Sequence, residues 1–256
     1  MKIATWNVNS IRARKERVLA WLERARPDAV CLQELKGEED KFPAEDFEGL
    51  GYRAAIWGQK TYNGVALLSR REITDIERNM DDGVDDPQAR LIAGTIDGVR
   101  LVSVYVPNGQ TVGSDKYAYK TAWLDRFAEW LAPRLGDGAP TVVCGDFNIA
   151  RDERDVDDPN EWEGTVLYND EMRAALERLL DLGLVDAFRL HNDGGEIFSW
   201  WDYRQNSFRR NRGLRIDYVL VTRDLASFCT GCSIDRDERA GEKPSDHAPV
   251  ITEFDL

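Results

Sequence analysis

Several apolar runs in this sequence begin or end in carboxylates and amides, where an ordinary buried strand would pass directly into a turn. Lys2–Val8 leads into Trp6-Asn7-Val8-Asn9, Ala29–Glu34 closes on Gln33-Glu34, and Thr141–Asp146 runs on as Gly145-Asp146-Phe147-Asn148. A later run contains Arg215-Ile216-Asp217-Tyr218, and Ser245-Asp246-His247-Ala248 precedes the last one. Burying one unpaired carboxylate is costly, so a fold that buries several has to gather them on a cation or a hydrogen-bond network. Any one Asp or Asn is explained as well by a turn or a helix cap. Five such strand ends beside an Asp-His pair are not. Oxygen donors from Asn7, Glu34, Asp146, Asn148 and Asp246 suit a hard cation. With only two histidines and no His-Glu-x-x-His pattern, a zinc site is not indicated.

Amphipathic helices alternate with these runs. Ser10 is a plausible N-cap for a helix with Ile11, Val18, Trp21, Leu22 and Ala25 on one face. Helices are predicted over Tyr117–Leu135, with Trp123, Phe127, Trp130 and Leu131 as its core stripe, and over Asp170–Leu182, stopped by Gly183. Further strands are predicted at Tyr52–Trp57, Val65–Ser69, Leu214–Val221 and Pro249–Phe254, with a hairpin of Arg90–Ile96 and Val99–Val106 around Asp97-Gly98. Strands recur from one end of the chain to the other with no Gly/Ser-rich linker. The expectation is therefore a single domain over 1–256, of α/β class, with two packed sheets and helices outside.

Charge narrows the function. The chain has 34 Lys+Arg against 47 Asp+Glu, a net −13, which argues against loose adsorption to polyanions. Its distribution is uneven: residues 200–215 hold Arg204, Arg209, Arg210, Arg212 and Arg215 against Asp202 alone, a cluster able to meet phosphates. For Arg12 and Arg14 on the first helix, solvation is expected, and the run Asp155-Val156-Asp157-Asp158 is expected to be a solvated face. No apolar run approaches the roughly 20 residues of a membrane span, and no signal peptide is evident. Four cysteines then fit a reducing, cytoplasmic setting. Cys229-Thr230-Gly231-Cys232 lacks the helix start or the extra ligands that a redox or zinc role needs, and His191 is expected on a surface loop.

Taken in order, these motifs resemble the exonuclease III branch of the abasic-site (AP) endonucleases, within the DNase I-like phosphodiesterase superfamily. The resemblance spans nearly the whole chain. It is carried by Trp6-Asn7-Val8-Asn9-Ser10-Ile11-Arg12-Ala13, Leu32-Gln33-Glu34, Gly64-Val65-Ala66-Leu67-Leu68, Tyr105-Val106-Pro107-Asn108-Gly109 and Gly145-Asp146-Phe147-Asn148. It continues through Phe198-Ser199-Trp200-Trp201-Asp202-Tyr203-Arg204, Asn211-Arg212-Gly213-Leu214-Arg215-Ile216-Asp217-Tyr218 and Lys243-Pro244-Ser245-Asp246-His247-Ala248-Pro249.

The resemblance implies a four-layer α/β sandwich of two mixed sheets. It also implies a monomeric Mg²⁺-dependent DNA-repair nuclease, with Mn²⁺ as an alternative ion. Such an enzyme cleaves duplex DNA 5′ to abasic sites and removes nucleotides from 3′ ends. It assigns Tyr105, Asp146, Asn148, Asp217 and His247 to catalysis, and Asn7, Glu34, Asp146, Asn148, Asp246 and His247 to the metal centre. Glu34 is its principal metal carboxylate, Asp146 orients or deprotonates the attacking water, and Asp217 pairs with His247. DNA contacts fall on Asn108, Trp200, Arg204, Arg212, Leu214 and Ile216, with Trp200, Leu214 and Ile216 forming the pocket for an extruded abasic sugar. Arg90 matches a basic position of open role. The same scaffold also admits phosphoesterases of inositol phosphates or lipids, and a degenerate binding module. The Trp-Trp-Asp-Tyr-Arg and Asn-Arg-Gly-Leu-Arg-Ile-Asp segments speak against the former, and the intact polar set against the latter.

Overall fold

The structure, a computed structural model, describes residues 1–256. Its strands are β1 Lys2–Asn7, β2 Ala29–Gln33, β3 Arg53–Trp57, β4 Val65–Ser69, β5 Thr74–Arg78 and β6 Leu91–Ile96, then β7 Val99–Tyr105, β8 Thr141–Asp146, β9 Leu184–Asp186, β10 Asp217–Thr222, β11 Cys229–Ile234 and β12 Val250–Phe254. The helices are α1 Ile11–Ala25, α2 Ala44–Glu48, α3 Asp115–Gly136, α4 Pro159–Trp162, α5 Asp170–Asp181, α6 Ser207–Arg210 and α7 Arg223–Ala226. The strands form two six-stranded mixed sheets, β11-β12-β1-β2-β4-β3 and β5-β6-β7-β8-β10-β9.

Each sheet is antiparallel except for one parallel pair, β1 with β2 and β7 with β8. A parallel pair needs a crossover, and α1 and α3 supply the two. Ser10 caps α1 by accepting from the Ala13 N–H, and Ser114 caps α3 by accepting from Tyr117. Strand alternation then builds the layers. Ala4, Trp6, Val30 and Leu32 pack outward under α1, and Val102, Val104 and Val143 pack outward under the Trp123, Phe127, Trp130 and Leu131 stripe of α3. Ile3, Cys31, Leu67, Leu101, Val142, Cys144 and Val219 fill the space between the sheets. The result is the expected four-layer α/β sandwich.

Polarity changes along the inner faces. Below the site the inter-sheet filling is apolar. Nearer to it, Gln33 donates to Thr5 Oγ1 at 2.9 Å and to Ser103 Oγ at 3.0 Å, a bridge between the sheets. Beyond that bridge the strands end in the polar residues. The close β7–β8 pairing depends on Gly145: a Cβ there would stand 1.9 Å from the Val104 carbonyl oxygen, at a φ of +147°.

Three strands were not anticipated from the sequence: β5, β9 and β11. The hairpin at Asp97-Gly98 is present, and Gly98 has the positive φ such a turn requires. Cys229 and Cys232 lie on β11, away from any helix start, and His191 is exposed. The expectation of a solvated Asp155–Asp158 face is overturned. Asp155 is completely buried and bonds the guanidinium groups of Arg215 and Arg189. Asp157 accepts from Trp162 Nε1 at 2.7 Å and from Arg212 Nε at 3.1 Å. No helix is long and apolar enough to cross a membrane.

Candidate active site

The site lies where both parallel pairs run out. Register sets its rows: Asn7 pairs with Gln33, the residue before Glu34, and Tyr105, Asp146 and Asp217 stand in one row across β7, β8 and β10. Carboxyl ends of parallel strands are where open α/β sheets place their ligands. The fourth component, the 245–248 segment, is pinned to β1. Ser245 Oγ donates to the Asn7 carbonyl at 2.6 Å, and Trp6 Nε1 donates to the His247 carbonyl at 3.1 Å.

Asn7 Nδ2 donates to both Glu34 Oε1 (2.9 Å) and Asp146 Oδ2 (2.8 Å), holding two carboxylates together. Glu34 has a left-handed φ of +53°. Glu34, Asp146 and His247 each offer a ligand atom, and those atoms lie within 4.8 Å of one another. His247 Nδ1 is 2.8 Å from Asp217 Oδ2, and its Nε2 is 3.6 Å from Asp146 Oδ2. Burial alone would lower the imidazole, but the charges of Asp217, Asp146 and Asp246 outweigh it and raise it to about 10. Burial, reinforced by Asp217 and Glu34 and opposed by His247 and Asn7, pushes Asp146 up to about 7. Tyr105 is held well above its ordinary value by burial and by the Glu34 and Asp146 charges, so its hydroxyl stays a donor.

Asn148 donates its backbone N–H to Asp146 Oδ1 at 2.9 Å and its amide to the Val106 carbonyl at 3.0 Å, while accepting from Asn108 Nδ2 at 3.0 Å. Asp246 stands beside the Glu34, Asp146 and His247 group, not within it, where Asn9 Nδ2 (2.8 Å) and Trp200 Nε1 (3.1 Å) donate to its two oxygens. Burial opposes its ionisation, but His247 and these two donors more than offset that and lower it.

On the proposed DNA side, Trp200 is half-buried with its ring edge-on to Trp162. Leu214 and Ile216 are enclosed in the α3-side core. Arg204, Arg209 and Arg210 are exposed. Arg212 is tied to Asp157 and Glu161. Arg215 cannot meet a phosphate as expected: it is fully buried against Asp155 and Asp186. Arg12 is exposed as expected, but Arg14 is not simply solvated, since it bonds Asn9, Tyr203 and Pro244. Arg90 lies 4.9 Å from the Tyr105 ring centroid and donates to the Tyr105 carbonyl at 3.1 Å. A groove of about 390 Å³ opens beside it, lined by Tyr62, Tyr105, Asn108 and Lys116 among others.

Sequence reasoning missed four contributors. Ser199 Oγ donates to Asp217 Oδ2 at 2.6 Å. Lys36 Nζ pairs with Glu34 Oε2 at 2.8 Å. Asn9 holds Asp246. Lys120 lies beneath Asn108 and Asn148. Ser199 and Asn9 sit inside quoted motifs and were open to notice; nothing in the local pattern of α3 marks Lys120.

Known proteins share this sequence and fold. The chain is 36% identical to exodeoxyribonuclease III of Haemophilus influenzae over 266 residues, covering 99% of this chain and all of that protein. An AP endonuclease from Archaeoglobus fulgidus superposes with a TM-score of 0.97 at 39% identity, and the 3′ phosphatase NExo from Neisseria, bound to a product DNA hairpin, with 0.98 at 41%. Both superpositions cover the whole of each chain. Residues 4–247 match the endonuclease/exonuclease/phosphatase family, and with full-length relatives at these identities the chain belongs to it.

Proposed function

We propose that this chain is a divalent-cation-dependent DNA-repair nuclease, which hydrolyses the phosphodiester 5′ to abasic sites and removes nucleotides from 3′ ends of duplex DNA. The observation that carries the reading is the convergence of Glu34, Asp146 and His247 within 4.8 Å, at the edge where Tyr105, Asn108 and Asn148 also meet. The reading takes residues 1–256 as one catalytic domain, because both sheets contribute to this edge, and it has the enzyme act as a monomer in the cytoplasm.

The donor set fits a hard cation: two carboxylates joined by the Asn7 amide, with one imidazole beside them. Glu34 and Asp146 would hold it, with Asn7, Asn148 and Asp246 around them and His247 beside it as an imidazolium, in place of the ligand role the resemblance implies; Mg²⁺ is the expected ion and Mn²⁺ the substitute. Such an ion, when bound, supplies positive charge to a phosphate and its leaving oxygen. The remaining work belongs to the protein. Asp146, raised towards neutrality, accepts a proton from the attacking water at a carboxylate oxygen. His247, kept protonated by Asp217, directs Nε2 towards the same space and stabilises the negative charge that develops. Asn148 and Asn108 each keep one amide hydrogen for a phosphate oxygen. The Tyr105 hydroxyl donates to the phosphate or the leaving oxygen. The extruded sugar is expected at Trp200, Leu214 and Ile216, and Arg204 and Arg212 meet the backbone. Leu214 and Ile216 are enclosed in the core, so of the three only Trp200, which is half-buried, stands open to a sugar.

Cleavage of a labelled duplex with one abasic-site analogue tests this. Incision on the 5′ side is expected with Mg²⁺ or Mn²⁺, abolished by EDTA and by Glu34→Ala or Asp146→Asn. Intact duplex with turnover of inositol phosphates or phospholipids would replace the reading.

A further inference from the structure

We propose that Lys120 is a positioning residue for the reaction: its enclosed ammonium sets the loop that carries Asn148 against the loop that carries Asn108. The inference rests on the reading that these two amides face the scissile phosphate.

Lys120 projects from α3 into the interior and is fully buried. Burial pulls the amine down to about 7, and three acceptors oppose that: Nζ donates to the carbonyl oxygens of Val166 (2.6 Å), Asn148 (2.7 Å) and Asn108 (3.2 Å), which match the three hydrogens of the ammonium form. It has no carboxylate partner at bonding distance. A methionine would fill the same volume without the desolvation cost, so packing alone does not account for a lysine here.

What it joins does account for it. The last backbone bond between the extensions of β7 and β8 runs from Val106 N to Asp146 O. Beyond it, the two loops touch through the side chains of Asn148 and Asn108 and through Lys120. Asn148 has a φ of +51°, so the local backbone does not hold its orientation unaided. The third carbonyl, of Val166, ties both loops to the segment ahead of α5. Gly109 leaves room for the lysine stem: a Cβ there would stand 3.1 Å from Lys120 Cδ.

The experiment compares Lys120→Met, Asn148→Ala, the double variant and Leu131→Ala, a core substitution on the same helix, on the abasic duplex, with Tm measured for each. Lys120→Met should lower kcat by about 10- to 100-fold and leave KM within about twofold. The double variant should be no slower than Asn148→Ala alone, because nothing is then left to position. Leu131→Ala should lose Tm and keep kcat. If Lys120→Met does not fold, Lys120→Gln, which retains two donors, should give a kcat between those of wild type and Asn148→Ala with KM unchanged. Normal kcat in the lysine variant beside a slow Asn148→Ala overturns the role of Lys120 and spares the site. Multiplying effects in the double variant, or an equal kcat loss in Leu131→Ala, overturn it likewise. An Asn148→Ala enzyme at full speed overturns the proposal together with the reading of the amide on which it rests.

Discussion

Asp217 works through a single oxygen. Oδ2 accepts from Ser199 and faces His247 Nδ1, while Oδ1 is buried without a hydrogen-bond partner. The charge that raises His247 is thus steered by one short serine bond, and Ser199 Oγ also accepts the N–H groups of Ile216 and Asp217. Ser199→Ala should therefore leave two buried amides and a carboxylate short of a partner. Its kcat should fall by about tenfold, and its stability by about 1–3 kcal/mol, measured by urea unfolding. Unchanged kcat would mean that His247 orients Asp217 without help. A second prediction concerns protons. The folded state raises Asp146 from the ordinary carboxylate value to about 7, so it holds that proton more tightly than the unfolded chain does. The contribution to stability is then present at acid pH and is lost as pH rises through about 7. In EDTA, Asp146→Asn should melt several degrees above wild type at pH 8, and the gap should close towards pH 5. A gap of constant size would show that the carboxylate is not desolvated.

At the scale of elements, legibility followed burial pattern. β1, β2, β4, β7 and β8 are buried almost throughout, so their apolar runs stood out, and the polar residues that closed them marked the site. β5 reads Thr-Asp-Ile-Glu-Arg and is mostly exposed, so neither alternation nor an apolar run marked it. β9 has only three residues, and β11 reads Cys-Thr-Gly-Cys-Ser-Ile with a bulge between Cys229 and Gly231. Charged residues that became interior were hidden for a related reason, since their partners lie far away in sequence. Asp155 meets Arg215 sixty residues later, with Asp186 on the other side of the guanidinium. No local pattern distinguishes such an aspartate from a solvated one. Because both charges are fully buried, Asp155→Ala should destabilise by about 3–5 kcal/mol in urea unfolding, by leaving Arg215 with Asp186 alone and Arg189 without its carboxylate. A loss below about 1 kcal/mol, the range of exposed ion pairs, would return the acidic run to the surface role first expected for it.

At the scale of the whole molecule, the excess of acid over base is spread widely, and of the exposed arginines without an acidic partner, Arg204, Arg209 and Arg210 cluster beside the site while Arg26, Arg53, Arg70 and Arg223 lie at the far end of the sheets. Many basic side chains elsewhere are neutralised by neighbours, as Arg126 is by Asp82 and Asp86, and Arg173 by Glu163. Arg209 and Arg210 on α6, with Arg204 just before it, have no acidic partner and sit on the segment that also presents Trp200. An acidic body with a small basic face should repel a polyanion in most orientations and accept it in one. Affinity should then depend on few phosphate contacts, and each should be visible in the salt dependence. For Arg209→Ala with Arg210→Ala, the slope of log K against log salt on duplex DNA should shrink by about two, since each lost contact removes about 0.9. Preference for an abasic over an intact duplex should stay as it was, because backbone contacts carry no lesion information. An unchanged slope would place the DNA backbone on another face, with the 390 Å³ groove beside Tyr105 and Lys116 the next surface to mutate.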